Sequence, residues 1–276
     1  MEDKYLDKLN KLLEVVESLD LSSSPEEELN ILNFLEGLNF LTLGFFKVVP
    51  HFERLTINKS LPDNSNETIT ELKYLKNPPP KYVKKYGRAN LKNQSVLYAT
   101  FNYPTALSEN NPDVGDLVTI SQWGLKIENT PLFVYPVFDY FNSSDYQLKA
   151  LFNKEIEKHS EKLKDLFIVD SCFIAGCFCK YVEKGKEINY TLSAHIADKI
   201  FNKMYNGKIE AIIYPSVKDD ADDSVNIALK PKVFNEKYKL LEVKESVVLS
   251  NDNGIIGLKE IKRTKYYDKK NIKWDT

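Results

Sequence analysis

The sequence predicts an α+β fold, in which a mixed or antiparallel sheet is flanked by helices and preceded by an N-terminal helical extension. Helical and strand-like segments both occur along the 276 residues, but they lack the regular strand–helix–strand alternation of a doubly wound sheet. Residues 237–267 alternate apolar and polar side chains, as the edge strands of an antiparallel sheet do. A chain of this length can bury a sizeable core.

Two helices are predicted at the N-terminus. Residues 4–20 place leucines and a valine at helical spacing between charged residues, and a second helix should run from Pro25 to about Leu38. We therefore assign residues 1–42 to a helical extension and residues 43–276 to the main domain. The extension either packs on that domain or serves as an arm that binds a partner or joins two copies of the chain.

The main domain should contain several short strands and two helices. Apolar runs bounded by turn residues predict strands at 45–49, 96–101, 116–122, 130–137, 209–214 and 225–229. Apolar periodicity predicts helices at 145–166 and 191–204. The remaining segments are predicted as loops, among them residues 58–70 and the proline run that ends at Pro80.

Composition excludes several classes of function. The formal net charge is -2, and the lysines are interleaved with acidic residues, so nucleic acid is not an expected partner. No apolar run approaches the ~20 residues that cross a membrane, and residues 1–11 do not form a signal peptide, so a cytoplasmic location is expected. Cys172, Cys177 and Cys179 lack a fourth metal ligand nearby, and neither a disulfide framework nor a metal site is predicted.

Four separated residues are candidates for a site that binds a phosphorylated, ribose-bearing ligand. Arg88 is one of three arginines in the chain and follows Gly87, where its planar guanidinium could grip phosphate. Tyr98 lies in a predicted strand, Glu109 ends a helical turn, and Ser216 follows a predicted buried strand. Taken singly, each has an ordinary alternative: a surface ion pair, a core aromatic ring, a solvated acid and a turn residue.

Taken together, these segments resemble the RES-domain family, which is named after its Arg, Glu and Ser. The run NPPPKYVKKYGRANLKNQSVLYATFNYPTALSE is similar to the family's proline run followed by GRxN, Leu-Tyr and TALxE. The runs YTLSAHIADKIFNKMYNGKIEAIIYPSV and VNIALKP resemble the helix and strands around the family's YPS motif. The resemblance covers about residues 43–232 and leaves out the N-terminal helices and the tail.

The resemblance implies a split sheet like that of ADP-ribosyltransferases and a bacterial toxin or defence effector that consumes NAD. The expected reaction cleaves the nicotinamide–ribose bond by hydrolysis or by phosphorolysis with inorganic phosphate, and NAD is then a substrate rather than a cofactor. The alternatives are transfer of ADP-ribose to a protein, or a non-enzymatic module that binds nucleotide or a partner. A neutralising antitoxin protein is the implied partner.

The family motifs assign Arg88, Tyr98, Glu109 and Ser216 to the catalytic site. Asn90 and Asn226 lie within matching motifs and are weaker candidates for substrate binding. Family members often carry an arginine in the first strand, where this chain has Lys47, and Arg54 follows seven residues later. Either side chain could supply that contact with phosphate, although lysine lacks the planar fork. His195 also departs from the family, since a neutral polar residue is expected there.

Overall fold

A computed structural model describes residues 7, 10–11, 14, 25–62, 64–183, 185–217, 224–252 and 255–274. These residues form six α-helices and nine β-strands. The helices are α1 (Pro25–Glu36), α2 (Tyr103–Asn110), α3 (Tyr146–Ile156), α4 (Glu161–Cys179), α5 (Thr191–Asp198) and α6 (Pro231–Lys237). The strands are β1 (Phe45–Val48), β2 (His51–Ile57), β3 (Leu97–Thr100), β4 (Leu117–Leu125), β5 (Pro131–Pro136), β6 (Ala211–Pro215), β7 (Val225–Leu229), β8 (Tyr238–Asp252) and β9 (Ile255–Thr264).

The chain divides into two compact units. One, called the sheet unit, consists of Phe46–Pro79, Ser95–Leu132 and Ser216–Thr276. The other, called the helical unit, consists of Met1–Phe45, Pro80–Gln94 and Phe133–Pro215.

Six strands of the sheet unit follow the order β7-β3-β2-β4-β8-β9, and every neighbouring pair is antiparallel. Leu55 of β2, Ala106 and Leu107 of α2 and Val118 of β4 belong to one buried apolar cluster, so α2 packs on one face of this sheet. Phe52 packs with its aromatic ring against Phe234 and Tyr238. Both faces of the centre of this sheet are therefore covered.

In the helical unit, β5 and β6 pair in parallel. The presence of both parallel and antiparallel pairs, without a strand–helix–strand alternation, confirms the predicted α+β class. Helix α1 is held in this unit because Lys199 donates to the carbonyl of Leu35 at 2.8 Å. Asp170 of α4 accepts from the main-chain N–H of Asn39 at 2.6 Å, which fixes the chain just after α1.

The helix predicted at 145–166 was wrong, because two helices occupy this region. Helix α3 ends at Ile156 and α4 starts at Glu161. Ser160 has an extended backbone (ψ 153°), and its carbonyl accepts from Leu163 and Lys164. Serine is favoured at the residue before a helix, so the break falls where the local sequence permits a new start. The apolar residues that follow then form the buried part of α4.

The predicted helix over residues 4–20 falls mostly outside the described residues. The four positions described there, Asp7, Asn10, Lys11 and Glu14, are helical and exposed. The hairpin turn between β8 and β9 also includes undescribed residues. Among the helices within the described ranges, none is both long and apolar enough to span a membrane.

A buried polar network stabilises the middle of the sheet unit. Asn58 donates through Nδ2 to Glu245 Oε2 at 3.0 Å and accepts at Oδ1 from the Thr119 hydroxyl at 2.8 Å. Thr68 and Lys262 bind the other oxygen of Glu245 at 2.9 and 3.2 Å. Glu245 is only 1% exposed, so its charge depends on these partners for compensation.

Replacing Asn58 with alanine should lower the free energy of unfolding by about 1–3 kcal/mol, because buried polar atoms of Glu245 and Thr119 lose a partner. Urea denaturation at neutral pH measures this change. Asn235→Ala, at an exposed position of α6, is the control and should change stability by less than about 0.5 kcal/mol. Equal stability of the Asn58→Ala protein and the wild type would contradict the role of this network.

Candidate functional site

The centre of the candidate site is the carboxylate of Glu109, in the last turn of α2. Its Oε1 accepts three hydrogen bonds within the sheet unit: from Ser216 Oγ at 2.7 Å, from Asn226 Nδ2 at 2.8 Å and from the main-chain N–H of Val217 at 3.1 Å. The structure therefore brings Glu109 together with Ser216 and Asn226, which lie 107 and 117 positions after it in the sequence.

Helix α2 is placed by the strand before it. Asn102 follows β3 and caps the helix, because its side-chain oxygen accepts from Thr105 N at 2.9 Å. The Thr105 hydroxyl also lies 3.2 Å from Ser224 Oγ, which connects the first turn of α2 to the start of β7. An asparagine cap and a proline at the second helical position are typical of a helix start.

Ser216 and Asn226 are placed by main-chain pairing with neighbouring residues. Ser216 follows β6, and its main-chain N–H donates to the carbonyl of Ser224 at 2.8 Å. Asn226 lies on β7 directly opposite Thr100 of β3 and is 5% exposed. Because Asn226 is buried and its amide points to Glu109, it cannot move without disturbing the sheet.

Tyr98 shares a sheet face with Asn226. It lies two residues before Thr100 on β3, and side chains two apart on a strand point to the same face. Opposite it on β7 is the small residue Ala228, and the Tyr98 side chain is half-buried. Tyr98 and the Glu109 cluster are thus on one face of the sheet unit.

Arg54 points to the other face of the same sheet. Glu53, its neighbour on β2, is paired with Thr100 and so shares the face of Asn226, and adjacent strand residues point in opposite directions. Arg54 Nη1 donates to the carbonyl of Tyr98 at 2.8 Å, while its buried Nε has no hydrogen-bond partner among the described residues. Burial lowers the pKa of Arg54 to about 10, so it remains charged at neutral pH.

Lys47, the other candidate for the first-strand contact, lies on β1 with an exposed side chain. The two basic candidates therefore occupy different settings: one is solvated and the other is enclosed on the sheet face opposite Asn226. Their contact with a phosphate stays a prediction.

Arg88 and Asn90 belong to the helical unit. Arg88 is 8% exposed, and its Nη1 donates to the carbonyls of Phe178 and Lys180 at the end of α4. Its guanidinium also lies 5.0 Å from the ring centre of Tyr190. Both described hydrogen bonds use Nη1, and the cation is stabilised by the carbonyl dipoles that end a helix.

Asn90 shapes the turn that presents Arg88. Its main chain pairs in both directions with Gly87, at 3.1 and 3.3 Å, and its side-chain amide donates to the carbonyl of Leu91 at 2.9 Å. In the structure, Asn90 thus stabilises the conformation of the GRxN turn.

The cysteines and His195 are the remaining groups of the helical unit that the sequence raised as candidates, and Cys172 and His195 are buried. Burial raises the pKa of the Cys172 and Cys177 thiols to about 11 and about 12, so both stay protonated and weakly nucleophilic. His195 is 5% exposed and lies 6.1 Å from the Tyr86 ring, centre to centre. No cluster of three His, Cys, Asp or Glu residues suited to a metal ion occurs in the described part of the chain.

Sequence reasoning missed one contributor to the site. Val217 acts through its main-chain N–H, which carries no side-chain signal. Strand β2 was also not predicted, and Glu53 on that strand is opposite Thr100 of β3.

The comparisons with known proteins add no relative. No protein-family model matches the chain, and no curated protein matches it in sequence. The resemblance to RES domains accordingly rests on the motifs and on the residues that carry them.

Proposed function

We propose that this chain is a RES-like enzyme that consumes NAD by cleaving the nicotinamide–ribose bond, as a toxin or defence effector. The observation that carries the proposal is the convergence of Ser216, Asn226 and the Val217 N–H on one oxygen of Glu109. Glu109, Ser216 and Asn226 all lie within the motifs that resemble the RES-domain family.

Glu109 would stabilise positive charge on the ribose. When the bond between C1′ and the nicotinamide nitrogen breaks, nicotinamide leaves with the electron pair as a neutral molecule, and the sugar becomes oxocarbenium-like, as in glycoside hydrolysis. A carboxylate fixed beside that carbon stabilises this charge without having to reorganise. The three donors described above would hold the carboxylate in place.

The other motif residues have supporting roles. Tyr98 would stack its ring on the nicotinamide or the ribose, since it shares a sheet face with Asn226. Arg88 would bind the pyrophosphate, with Asn90 keeping its turn in shape, and either Lys47 or Arg54 would supply a second positive charge. Arginine suits this role because its fork matches two phosphate oxygens.

The acceptor decides which product forms. Water would give ADP-ribose, losing a proton as its oxygen bonds to C1′, and inorganic phosphate would give ADP-ribose that carries a phosphate on the same carbon. Mass spectrometry of NAD incubated with the protein, with and without phosphate and with a cell lysate, separates these from transfer to a protein. Intact NAD under all three conditions would overturn the proposal.

A second candidate function is a nucleotide-binding module without turnover. The burial of Arg88 against the carbonyls of Phe178 and Lys180 favours it, because a guanidinium already engaged with main-chain oxygens has fewer donors for phosphate. A rise in melting temperature with NAD, without release of nicotinamide, would support this function over the enzymatic one.

An enzyme that depletes NAD would require a neutralising partner protein, and the N-terminal helices are the proposed contact for that partner or for a second copy. Leu29 and Leu32 of α1 are 56% and 40% exposed, one helical turn apart. If they form such a contact, Leu29→Asp with Leu32→Asp should reduce the molar mass measured by light scattering or abolish partner binding. Unchanged mass and binding would remove this assignment.

A further inference from the structure

The guanidinium of Arg88 is held by hydrogen bonds at one nitrogen. Its Nη1 donates to the main-chain carbonyls of Phe178 and Lys180 at the end of α4. Phe178 is 0% exposed, and its ring packs against the ring of Tyr214 on β6, with the ring centres 5.4 Å apart. The carbonyl of Phe178 is therefore fixed within the core of the helical unit.

The other two nitrogens of Arg88 are available as donors. No hydrogen bond among the described residues uses its Nε or Nη2. Neither atom belongs to the fully enclosed polar atoms that lack a partner in the described part of the chain, so both keep contact with solvent. Nε and Nη2 form one edge of the guanidinium, and two parallel donors on one edge can bind two oxygens of a phosphate.

The ring of Tyr190 lies against the same guanidinium. Arg88 Cζ is 5.0 Å from the centre of this ring, within the ~6 Å over which an aromatic ring attracts a cation. Hydrogen bonds at a single nitrogen leave the guanidinium free to turn about that nitrogen. A ring in contact with the guanidinium restricts this rotation, and it thereby fixes the direction in which Nε and Nη2 point.

Tyr190 is itself attached to a buried helix. It ends the 3-10 turn Glu187–Tyr190 and directly precedes α5. The hydroxyl of Ser193 donates to the Tyr190 carbonyl at 3.1 Å, and residues 191–197 of α5 are all buried. The main chain that carries the Tyr190 ring is therefore anchored in the core of the helical unit.

We propose that Tyr190 is a positioning residue, which holds the Arg88 guanidinium so that Nε and Nη2 are presented to the phosphates of the ligand. This inference rests on the proposed function for the identity of that ligand. The pyrophosphate is unchanged when the nicotinamide–ribose bond breaks, so its contacts are the same before and during the reaction. Loss of the ring should therefore weaken NAD binding rather than slow the chemical step.

The kinetic test compares Tyr190→Leu, Tyr190→Phe and Tyr146→Leu. Tyr146 of α3 is 84% exposed and is the matched control, which should keep the wild-type kcat and KM. We expect KM for NAD to rise by about 5- to 10-fold in Tyr190→Leu, with kcat unchanged to within about 2-fold. Tyr190→Phe retains the ring and should restore the wild-type KM. A purely structural role predicts a lower melting temperature in Tyr190→Leu with an unchanged KM, and that combination would overturn the proposal.

Arginine side-chain NMR tests the same role without NAD. The chain has three arginines, so few Nε signals are expected in a proton–nitrogen correlation spectrum, and Arg88→Lys identifies the signal of Arg88 by its loss. Relaxation of this signal should show a more mobile Arg88 Nε in Tyr190→Leu than in the wild type or in Tyr190→Phe. Arg263 donates from Nε to Glu260 at 2.9 Å and is the internal control, which should not change.

The two measurements separate failure of the positioning role from failure of the proposed function. Equal mobility of Arg88 Nε in the wild type and in Tyr190→Leu would overturn the positioning role, whatever the protein does to NAD. Greater mobility in Tyr190→Leu, with a wild type that neither binds nor consumes NAD, would refute the proposed function alone. If Tyr190→Leu does not fold, Tyr190→Met takes its place in both measurements, because its longer and more flexible side chain fills irregular space more readily.

Discussion

Replacing Glu109 with glutamine should lower the rate of NAD consumption by about 100- to 1,000-fold, because one preorganised electrostatic group is removed from the developing charge. Glutamine keeps the size of the side chain and an oxygen that can still accept from Ser216 and Asn226, so the fold and the position of α2 should survive. The change is therefore expected in kcat, with KM for NAD altered little.

Initial rates of nicotinamide release, measured with saturating NAD, check this result. Glu236→Gln is the matched control. Glu236 is a largely exposed acid on α6, and its Oε1 lies 4.0 Å from Lys232 Nζ. Circular dichroism and melting temperature should be the same for wild type and both variants. A Glu109→Gln protein that consumes NAD at the wild-type rate would remove Glu109 from the catalytic role.

Replacing Ser216 and Asn226 with alanine should reduce turnover strongly but not additively. Each variant alone should lower kcat by about 10-fold, which corresponds to ~1.4 kcal/mol and is close to the lower end of what one hydrogen bond to a charged group contributes. The two side chains donate to the same oxygen, at 2.7 and 2.8 Å, so removing one alters what the other contributes. The double variant should then depart from the product of the single effects.

The measurement is a double-mutant cycle on kcat, with Val217 left intact as the remaining donor. The control replaces Ser65, an exposed loop serine of the sheet unit, with alanine. A coupling free energy within about 0.3 kcal/mol of zero would mean that Ser216 and Asn226 act independently. In that case the shared contact with Glu109 would not be the reason for their effects.

The site strands were predictable because their signals are local. Val225–Leu229 was predicted with the bounds that the structure shows, and β3 differs from its prediction by a single residue at each end. Both strands are short apolar runs between turn residues, a pattern that depends little on the rest of the fold. The helical turn predicted to end at Glu109 lies within α2, which runs from Tyr103 to Asn110.

Strand β2 was not predictable, because both of its faces are covered. Phe52 packs on one face and Leu55 on the other, so apolar residues do not alternate with polar ones. The sheet face to which Arg54 points was not predictable either, because it depends on the register of β2 with β3 and β4. Register depends on long-range pairing, which no local pattern specifies.

The contact between Glu109 and Asn226 also determines when the site can form. The two residues are separated by 117 positions. During synthesis Glu109 therefore leaves the ribosome long before Asn226 has been added to the chain. Closing so long a loop is slow relative to local folding. A ribosome-bound or C-terminally truncated chain that lacks β7 would therefore carry Glu109 without Asn226, and the harmful activity proposed for this protein would arise only once synthesis is nearly complete.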